Sequence, residues 1–233
     1  MWAVIKKEFK SYFYTPIGYI FIGVFLLAFS ISFSLDLTNS MGTINFETIF
    51  IYLFNYWPTI IAFSILIPLI TMRSFAEEKR TGTDQLILTA PISITKIVLG
   101  KFIATLLIVI ISILCLFMYI GILCYFGKPD FKIKLTSLFG FLLFLVAYVS
   151  FGILASSITE NQIISAILSI VFFIVSWVLP AFNSKLEGYS FMNMFYKFTQ
   201  GQIDIGNTIT FITFSITCLL LTITAMQRRK SVK

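Results

Sequence analysis

The sequence is short of the residue types on which most catalytic and metal sites depend. Its 233 residues include no histidine and three cysteines, and only 12% of them are charged. The absence of histidine excludes histidine-based catalysis, haem ligation by histidine and most histidine-containing zinc sites. Cys115, Cys124 and Cys218 lie in apolar stretches and form no CxxC pair. We interpret them as buried thiols that form neither disulfides nor a metal site.

The few charged residues are distributed unevenly. Six windows contain none, and each is 23 to 26 residues long: 11–35, 48–72, 102–127, 135–159, 161–184 and 205–227. A membrane's hydrocarbon core, about 30 Å thick, needs about 20 apolar residues in a helix. Runs such as IFIGVFLLAFSISF are apolar on every face, which excludes a soluble domain and the alternating strands of a membrane barrel. The sequence therefore predicts an all-α integral membrane protein with transmembrane helices over about 17–36, 53–74, 99–126, 136–158, 162–180 and 206–227.

The basic residues predict which side of the membrane each connection faces. If the N-terminus is inside, 12 of the 17 Lys and Arg residues lie on the inner side, whereas the 10 acidic residues divide equally. This excess of inner cations is the positive-inside pattern. We expect a multi-pass protein of the plasma membrane with both termini in the cytoplasm. Because membrane topology accounts for the cations, nucleic-acid binding is not expected.

An amphipathic segment precedes the first transmembrane helix. Large apolar residues recur there at helical spacing, at Trp2, Ile5, Phe9 and Tyr12, with the lysines off this stripe. Residues 1–15 are therefore predicted to form an interfacial helix that the following proline ends. The alternative is a signal peptide, but the uncharged window that follows is longer than a typical signal-peptide core.

The last outer connection, over 185–204, is rich in aromatic residues and holds few charges. Aromatic side chains of this kind often lie at the level of the lipid headgroups. The composition fits an interfacial or re-entrant helix after Pro180, and it fits a packed external loop equally well. The sequence leaves both alternatives open.

No motif in the chain supports catalysis or nucleotide binding. The Gly-Lys pairs at 100–101 and 127–128 lack the other residues of a phosphate-binding loop, and no GxSxG or HExxH motif occurs. We predict no catalytic residue, no bound cofactor and no metal site. The windows also lack the ionisable groups that proton-driven transporters use, although sodium can bind to the backbone of broken helices. If the chain takes part in transport, we expect its energy to come from outside the bilayer.

The inner connection between the second and third windows has the most ordered pattern of polar residues. Arg73, Glu77 and Lys79 or Arg80 are spaced to pair along a continuation of the second transmembrane helix. Gly82 is expected to end that helix. The pattern therefore predicts a stub that projects from the membrane.

A second short helix is predicted beyond this glycine. Thr81 or Thr83 can cap it over 84–90, Pro91 closes it, and Ser93 can cap the helix that returns to the membrane. The short helix carries an apolar patch with no evident place in water, at Leu86, Ile87 and Leu88. Such a patch indicates contact with a protein partner or with the bilayer surface.

The same region resembles that of a known family. It contains EEKRTGT over 77–83, followed by Leu86, TAPIS over 89–93 and the pair Gly100-Lys101. This combination resembles the signature of ABC-2 type ABC-transporter permeases. It is most similar to the branch that includes gliding-motility-associated and nitrous-oxide-cluster permeases. The resemblance covers the whole chain and implies a single ABC-2 type transmembrane domain over 1–233.

The resemblance implies a permease subunit of an exporter without a nucleotide-binding site of its own. Two copies of a separate ABC ATPase subunit would hydrolyse ATP. A second permease subunit, identical or related, would complete the translocation path in the lipid bilayer. The alternative function is a membrane anchor or scaffold that recruits a cytoplasmic partner without transport.

The resemblance also assigns roles to individual residues. It implies a coupling segment over 75–98 and ATPase-coupling residues at Arg73, Glu77, Glu78, Lys79, Arg80, Thr81, Gly82, Thr83, Leu86 and Pro91. A second, smaller cytoplasmic contact is implied at Thr159, Glu160 and Asn161. Apart from the resemblance, two small-xxx-small pairs suit close helix packing, Gly152 with Ser156 and Ser165 with Ser169. Threonines 208, 210, 213 and 217 of the last window either bond across helices or line a path.

Overall fold

The chain folds almost entirely into α-helices. The computed structural model describes residues 1–39, 57–85, 92–126, 130–182 and 188–231, and none of these residues forms a β-strand. The helices are, in chain order, α1 (Trp2–Tyr14), α2 (Ile17–Asn39), α3 (Trp57–Thr71), α4 (Ala76–Arg80), α5 (Ile94–Phe126), α6 (Phe131–Ile158), α7 (Gln162–Phe182), α8 (Phe191–Thr199) and α9 (Ile205–Ser231). The predicted all-α fold is confirmed.

Five helices in the described part of the chain are long and apolar enough to cross a membrane. They are α2, α5, α6, α7 and α9, and the mean hydropathy of their spans lies between 2.0 and 3.0. The helix α3 is apolar but shorter. It corresponds to the end of the second predicted transmembrane helix, whose first residues lie outside the described residues.

Two helices begin before the transmembrane spans predicted within them. The helix α5 begins at Ile94 rather than near 99, because the carbonyl of Ser93 already accepts a bond from the backbone N–H of Lys96 at 3.0 Å. The helix α6 begins at Phe131 rather than near 136. Asp130 caps it by accepting a bond from the backbone N–H of Lys132 at 2.9 Å. The last residues of the predicted coupling segment are therefore the first turn of α5.

The helix α6 lies at the centre of the bundle, where it contacts α3, α5, α7, α8 and α9. Of its span, 72% is buried, against 17% for α7. Its Phe141 packs on Phe63 of α3, with ring centroids 4.9 Å apart. Gly152 lies so close to α3 that an added Cβ would stand 2.3 Å from Oγ1 of Thr71, so only glycine permits this approach.

A helix, α1, is present where the sequence predicts an interfacial one, and it packs on α5 and α2. Ile5 and Tyr12 are buried and Phe9 is half-buried, while Trp2 is 74% exposed and takes no part in the contact. The hydroxyl of Tyr12 donates to the carbonyl of Ile70 at 3.1 Å. This bond ties α1 to the end of α3.

The connection before α9, which the sequence predicts to be an outer one, contains a helix, α8. Ser190 caps it by accepting a bond from the backbone N–H of Asn193, and its own hydroxyl donates to the carbonyl of Ser176 at 2.7 Å. Phe198 is fully buried and lies against Gly140 of α6, where an added Cβ would stand 2.3 Å from it. Of the two predicted alternatives, a helix or a packed external loop, the structure has a helix over 191–199, which packs through Phe195 and Phe198 while Tyr196 is exposed.

The small and hydroxyl side chains that the sequence singles out on α7 and α9 differ in their contacts. Ser165 and Ser169 are buried on α7, and the carbonyl of Ser169 accepts a bond from the Tyr148 hydroxyl of α6 at 3.0 Å. The threonine hydroxyls of α9 instead donate to carbonyls four residues earlier in the chain, at Thr208, Thr210, Thr213 and Thr217. Within the described residues these four hydroxyls therefore donate locally rather than to another helix.

Candidate functional site

Charged residues from five parts of the chain meet at one end of the bundle. They come from α1, from the segment 72–85, from the first turns of α5, from the connection 159–161 and from the end of α9. We call this the charged end, and its members that form ion pairs or cap helices are Lys7, Glu8, Arg73, Glu77, Glu78, Lys79, Asp84, Lys101, Glu160 and Arg229. Most of the predicted coupling residues lie here.

The coupling segment begins with a break in the helix. The sequence predicts a continuous helix through Arg73, but α3 ends at Thr71 and α4 begins at Ala76. The hydroxyl of Ser156 accepts bonds from the backbone N–H groups of Phe75 at 2.9 Å and Ala76 at 3.0 Å, and it donates to the carbonyl of Met72 at 2.9 Å. The prediction of continuity is wrong because this hydroxyl, on α6, satisfies the backbone groups that would continue α3.

The predicted pair of Arg73 and Glu77 is present across this break. Arg73 Nε donates to Glu77 Oε2 at 2.6 Å, and its Nη2 donates to Oε1 at 2.7 Å. The hydrogen bond from Arg73 is the main reason that the pKa of Glu77 is lowered. A two-point arginine–carboxylate pair holds both side chains in one orientation.

Lys101 is the most deeply buried cation of the charged end, at 2% exposed. Its Nζ donates to Glu78 at 2.7 Å, to Glu8 at 3.2 Å and to the carbonyl of Ser74 at 2.6 Å. Burial raises the pKa of Glu78, and Lys101 opposes that rise. One lysine therefore joins α1, α5 and the coupling segment.

A second group of contacts joins the coupling segment to α6 and α9. Lys79 is 8% exposed, and its Nζ donates to the carbonyls of Ser157 and Thr159 at the end of α6. Arg229 of α9 donates to Asp84 at 3.0 Å and to Glu160 at 2.8 Å. The two contacts that the sequence predicts separately, the coupling segment and residues 159–161, are therefore neighbours in space.

The turn after α4 is closed by its own hydroxyls. Gly82 has a φ of 72°, which suits glycine and ends the helix as predicted. Thr81 donates to the carbonyl of Glu77 at 2.9 Å and Thr83 to that of Glu78 at 3.3 Å. Both hydroxyls therefore close the end of α4, whereas the sequence suggested a cap on the following helix.

The other predicted site residues occupy simpler positions. Arg80 is exposed, and Asn161 accepts a bond from the backbone N–H of Ile163 at the start of α7, at 2.9 Å. The hydroxyl of Thr159 donates to the carbonyl of Ala155. Leu86 and Pro91 lie outside the described residues, as does most of the predicted short helix over 84–90.

A cavity of about 450 Å³ lies between α1 and the coupling segment. Its walls carry three cations and three carboxylates, so its lining is neutral as a whole: Lys7, Glu8, Ser11, Tyr12, Thr15, Arg73, Ser74, Glu77, Glu78, Thr81, Thr83 and Lys101. Over the ranges that the structure describes, no group of three or more Cys, Asp or Glu residues could hold a metal ion. The charged groups of this lining pair with one another and join α1, α5 and the segment 72–85.

Sequence reasoning missed several residues that organise the charged end. The sequence assigns Glu8, Asp84 and Arg229 only to a side of the membrane, and it assigns Lys101 to the same side and to a glycine-lysine pair. The signal for Glu8, Lys101 and Arg229 is their position within three residues of a window end, on the side with the excess of cations, whereas Asp84 lies in the middle of the inner connection. Their partners are distant in sequence, so spacing could not pair them.

Comparison with known proteins identifies the family. No curated protein matches the chain. A family model described as ABC-2 family transporter protein matches residues 37–226, a range that includes the coupling segment and the connection after α6. The chain therefore belongs to the ABC-2 family of transporter proteins.

Proposed function

We propose that this chain is the permease subunit of an ABC exporter whose α4 turn receives motion from a separate ATPase subunit. Membership of the ABC-2 family makes the chain a membrane component of an ABC transporter and implies an ABC ATPase partner. The proposal adds the direction of transport, a second permease subunit, two ATPase copies and the site of contact. Within the family, the motif over 77–93 favours the branch of gliding-motility-associated and nitrous-oxide-cluster permeases.

The observation that carries the proposal is an exposed turn, residues 80–83, whose buried flanking residues are hydrogen-bonded to the membrane helices. We call these flanking residues the base of the turn. Residues 80–83 are exposed, whereas Phe75, Ala76, Lys79 and Asp84 on either side of them are buried. The base is held to α6 by Ser156 and Lys79, and to α5 by Lys101. A turn of this kind can enter a cleft in a partner while its base stays attached to the membrane helices.

Such a base can transmit a displacement of the turn. If closure of the ATPase moves residues 80–83, the bonds to α5 and α6 carry that motion towards the helices that cross the membrane. A partner shifts this equilibrium only as far as it binds the two positions of the turn with different affinity. Exchange between inward-open and outward-open forms would follow from that difference.

We propose that the protein lies in the plasma membrane and that its charged end faces the cytoplasm. The inner excess of Lys and Arg supports this orientation. The first and last described helices both reach this end, since Glu8 of α1 bonds Lys101 and Arg229 of α9 bonds Asp84. A cytoplasmic ATPase subunit could therefore reach every element of the charged end.

A second permease subunit is part of the proposal. The helix α7 is the least buried of the long helices, with 17% of its span buried. Its exposed side chains are aliphatic and follow one face, at Ile163, Ile164, Ile167, Leu168, Val171, Ile174 and Val175. Symmetric pairs are the commonest assemblies of identical subunits, and this face is available to such a partner.

The proposal is tested by reconstituting the chain with its cognate ABC ATPase subunit in liposomes. ATP hydrolysis by the complex is compared with hydrolysis by the ATPase alone. Arg80→Glu reverses the charge of the exposed turn, and Gly82→Pro forbids its positive φ. We expect both variants to insert normally and to lose binding of the ATPase or control of its turnover.

The matched control is Lys10→Glu, which makes the same charge reversal at an exposed position of α1. It should bind and stimulate the ATPase like the unmodified chain. If the two turn variants also behave like the unmodified chain, the turn is not the contact. An anchor without transport would bind the ATPase, yet no candidate cargo would change ATP turnover.

A further inference from the structure

The end of α9 lies against the coupling segment, although no sequence pattern assigns it a role there. Arg229 Nε donates to Asp84 Oδ2 at 3.0 Å, and Nη1 donates to Glu160 Oε1 at 2.8 Å. Asp84 follows the exposed turn, and Glu160 lies in the connection between α6 and α7. One planar guanidinium thus bridges two segments that are far apart in the sequence.

The two acids differ in how much they need this arginine. The Asp84 side chain is 3% exposed, whereas that of Glu160 is 66% exposed. A buried carboxylate without a cation is strongly unfavourable, whereas an exposed one is solvated by water. Asp84 therefore depends on Arg229 more than Glu160 does, and their bond fixes the point at which the chain leaves the turn.

Lys79 completes the contact from the other side of the turn. Its Nζ donates to the carbonyls of Ser157 and Thr159, at the negative end of the α6 dipole. The turn is thus bonded before Gly82 through Lys79 and after it through Asp84. The four residues Lys79, Asp84, Glu160 and Arg229, which we call the Arg229 cluster, carry two positive and two negative charges.

We propose that Arg229 is a positioning residue for the coupling turn, and that through the Arg229 cluster the turn, the connection 159–161 and the end of α9 move as one unit. The inference rests on the proposed function, because it concerns how motion of the turn reaches the membrane helices. It adds the last transmembrane helix to the elements that the ATPase displaces. Arg229 does not touch the ATPase in this scheme.

The first test uses the isolated permease in detergent and does not involve the ATPase. Thermal stability is measured for Asp84→Asn, Arg229→Gln and the double variant. We expect each single change to lower the melting temperature and the double change to be no worse than Arg229→Gln alone, because the two groups act as a pair. Additive losses would show that Asp84 and Arg229 are not coupled and would overturn the inference.

The second test uses the reconstituted complex with the ATPase. Arg229→Gln should bind the ATPase like the unmodified chain, while the change in ATP turnover that the permease causes falls by about tenfold, within the range of typical coupling energies. Arg229→Lys keeps the charge and should restore part of the effect. Lys10→Gln removes a charge at an exposed position of α1, outside the predicted coupling segment, and should change nothing.

The outcomes separate the two ideas. Normal binding together with unchanged turnover in Arg229→Gln would overturn the role of Arg229 and leave the proposed function intact. If the unmodified permease fails to bind its ATPase, the proposed function is wrong and the inference falls with it. Loss of binding in Arg229→Gln would show that α9 contacts the ATPase directly, which also contradicts the inference.

Discussion

Lys101 shows how a single buried charge can hold three elements together. It is 2% exposed in the first turns of an apolar helix, where an unpaired ammonium group would be strongly destabilising. Two carboxylates and a backbone carbonyl accept its three N–H bonds, and the Phe75 ring lies 5.0 Å away. The group is therefore fully satisfied, and its partners on α1 and α4 depend on it in turn.

We predict that Lys101→Met destabilises the protein by about 3 to 5 kcal/mol, the range for removing one partner of a buried ion pair. The reason is that Glu8 and Glu78, each 15% exposed, lose their shared cation. The change is measured as a shift in the melting temperature in detergent, with size-exclusion chromatography used to monitor unfolding. Lys96→Met, at an exposed position of the same helix, is the control. Equal melting temperatures for the two variants would contradict the prediction.

Lys79 gives the charged end a dependence on pH. Burial is the main cause that lowers its pKa from 10.5 to about 8, and the charge of Arg229 adds to the effect. Below about pH 8 both the folded and the unfolded chain hold this proton, and the unfavourable burial of the charge is fully present. Between about 8 and 10.5 the unfolded chain binds the proton more tightly, so stability from this group rises with pH.

The prediction is a pH-dependent difference between the unmodified chain and Lys79→Gln. From pH 7 to pH 9.5 the melting temperature of the unmodified chain should rise relative to that of the variant. Other groups that titrate in this range are common to both proteins, so the comparison removes their effect. A constant difference over the range would show that Lys79 keeps an ordinary pKa.

The residues of the charged end were predictable only where the contact is local. The spacing of Arg73 and Glu77 predicts their pair, since residues four apart face each other on a helix. The pair of Asp84 and Arg229 spans 145 positions. No local pattern carries that information, and only the folded bundle brings the two side chains together.

At the scale of elements, the break between α3 and α4 is the clearest difference from the sequence. Arg73 and Glu77 have helical spacing, and the residues between them contain no proline or glycine. A local reading therefore favours a continuous helix. The hydroxyl that takes over the backbone groups belongs to Ser156, about 80 residues later. Helix ends set by a distant side chain are invisible to capping rules that use neighbouring residues.

The packing of α8 against α6 supports a prediction about one glycine. Gly140→Ala should destabilise the protein by about 1 to 3 kcal/mol, because an added methyl group would overlap the Phe198 ring and force α8 outward. Gly121→Ala is the matched control, since an added Cβ at that position of α5 meets no atom within 4 Å. Alanine is favoured over glycine inside a helix by about 1 kcal/mol, so the control should be neutral or stabilising. The melting temperatures of the two variants in detergent test the prediction, and equal values for Gly140→Ala and Gly121→Ala would contradict it.

At the scale of the whole molecule, the charge-free windows predicted the fold class but not the arrangement of the helices. Mean hydropathy of the five spans lies between 2.0 and 3.0, so central and peripheral helices look alike. In a membrane, the side of a helix that faces lipid and the side that faces protein are both apolar, so hydrophobic periodicity does not distinguish them. The central place of α6 thus depends on shape, as where Gly152 admits Thr71.

The orientation of the whole bundle is the last prediction. In a variant whose three cysteines are replaced, Lys96→Cys places one thiol at the charged end, and Lys197→Cys places one near the opposite end. Both positions are exposed. An impermeant maleimide added to intact cells should label the thiol at 197 only, and the thiol at 96 should react after the membrane is opened.

This result follows from the distribution of cations, because positively charged connections are retained on the cytoplasmic side during insertion. It is also required by the proposed function, since cytoplasmic ATPase subunits can reach the α4 turn only if the charged end is inside. Labelling of the thiol at 96 alone in intact cells would show that the charged end faces outward, where cytoplasmic ATPase subunits could not reach the α4 turn. Equal labelling of both thiols in intact cells would contradict a single fixed orientation, and the proposed mechanism could not operate in either case.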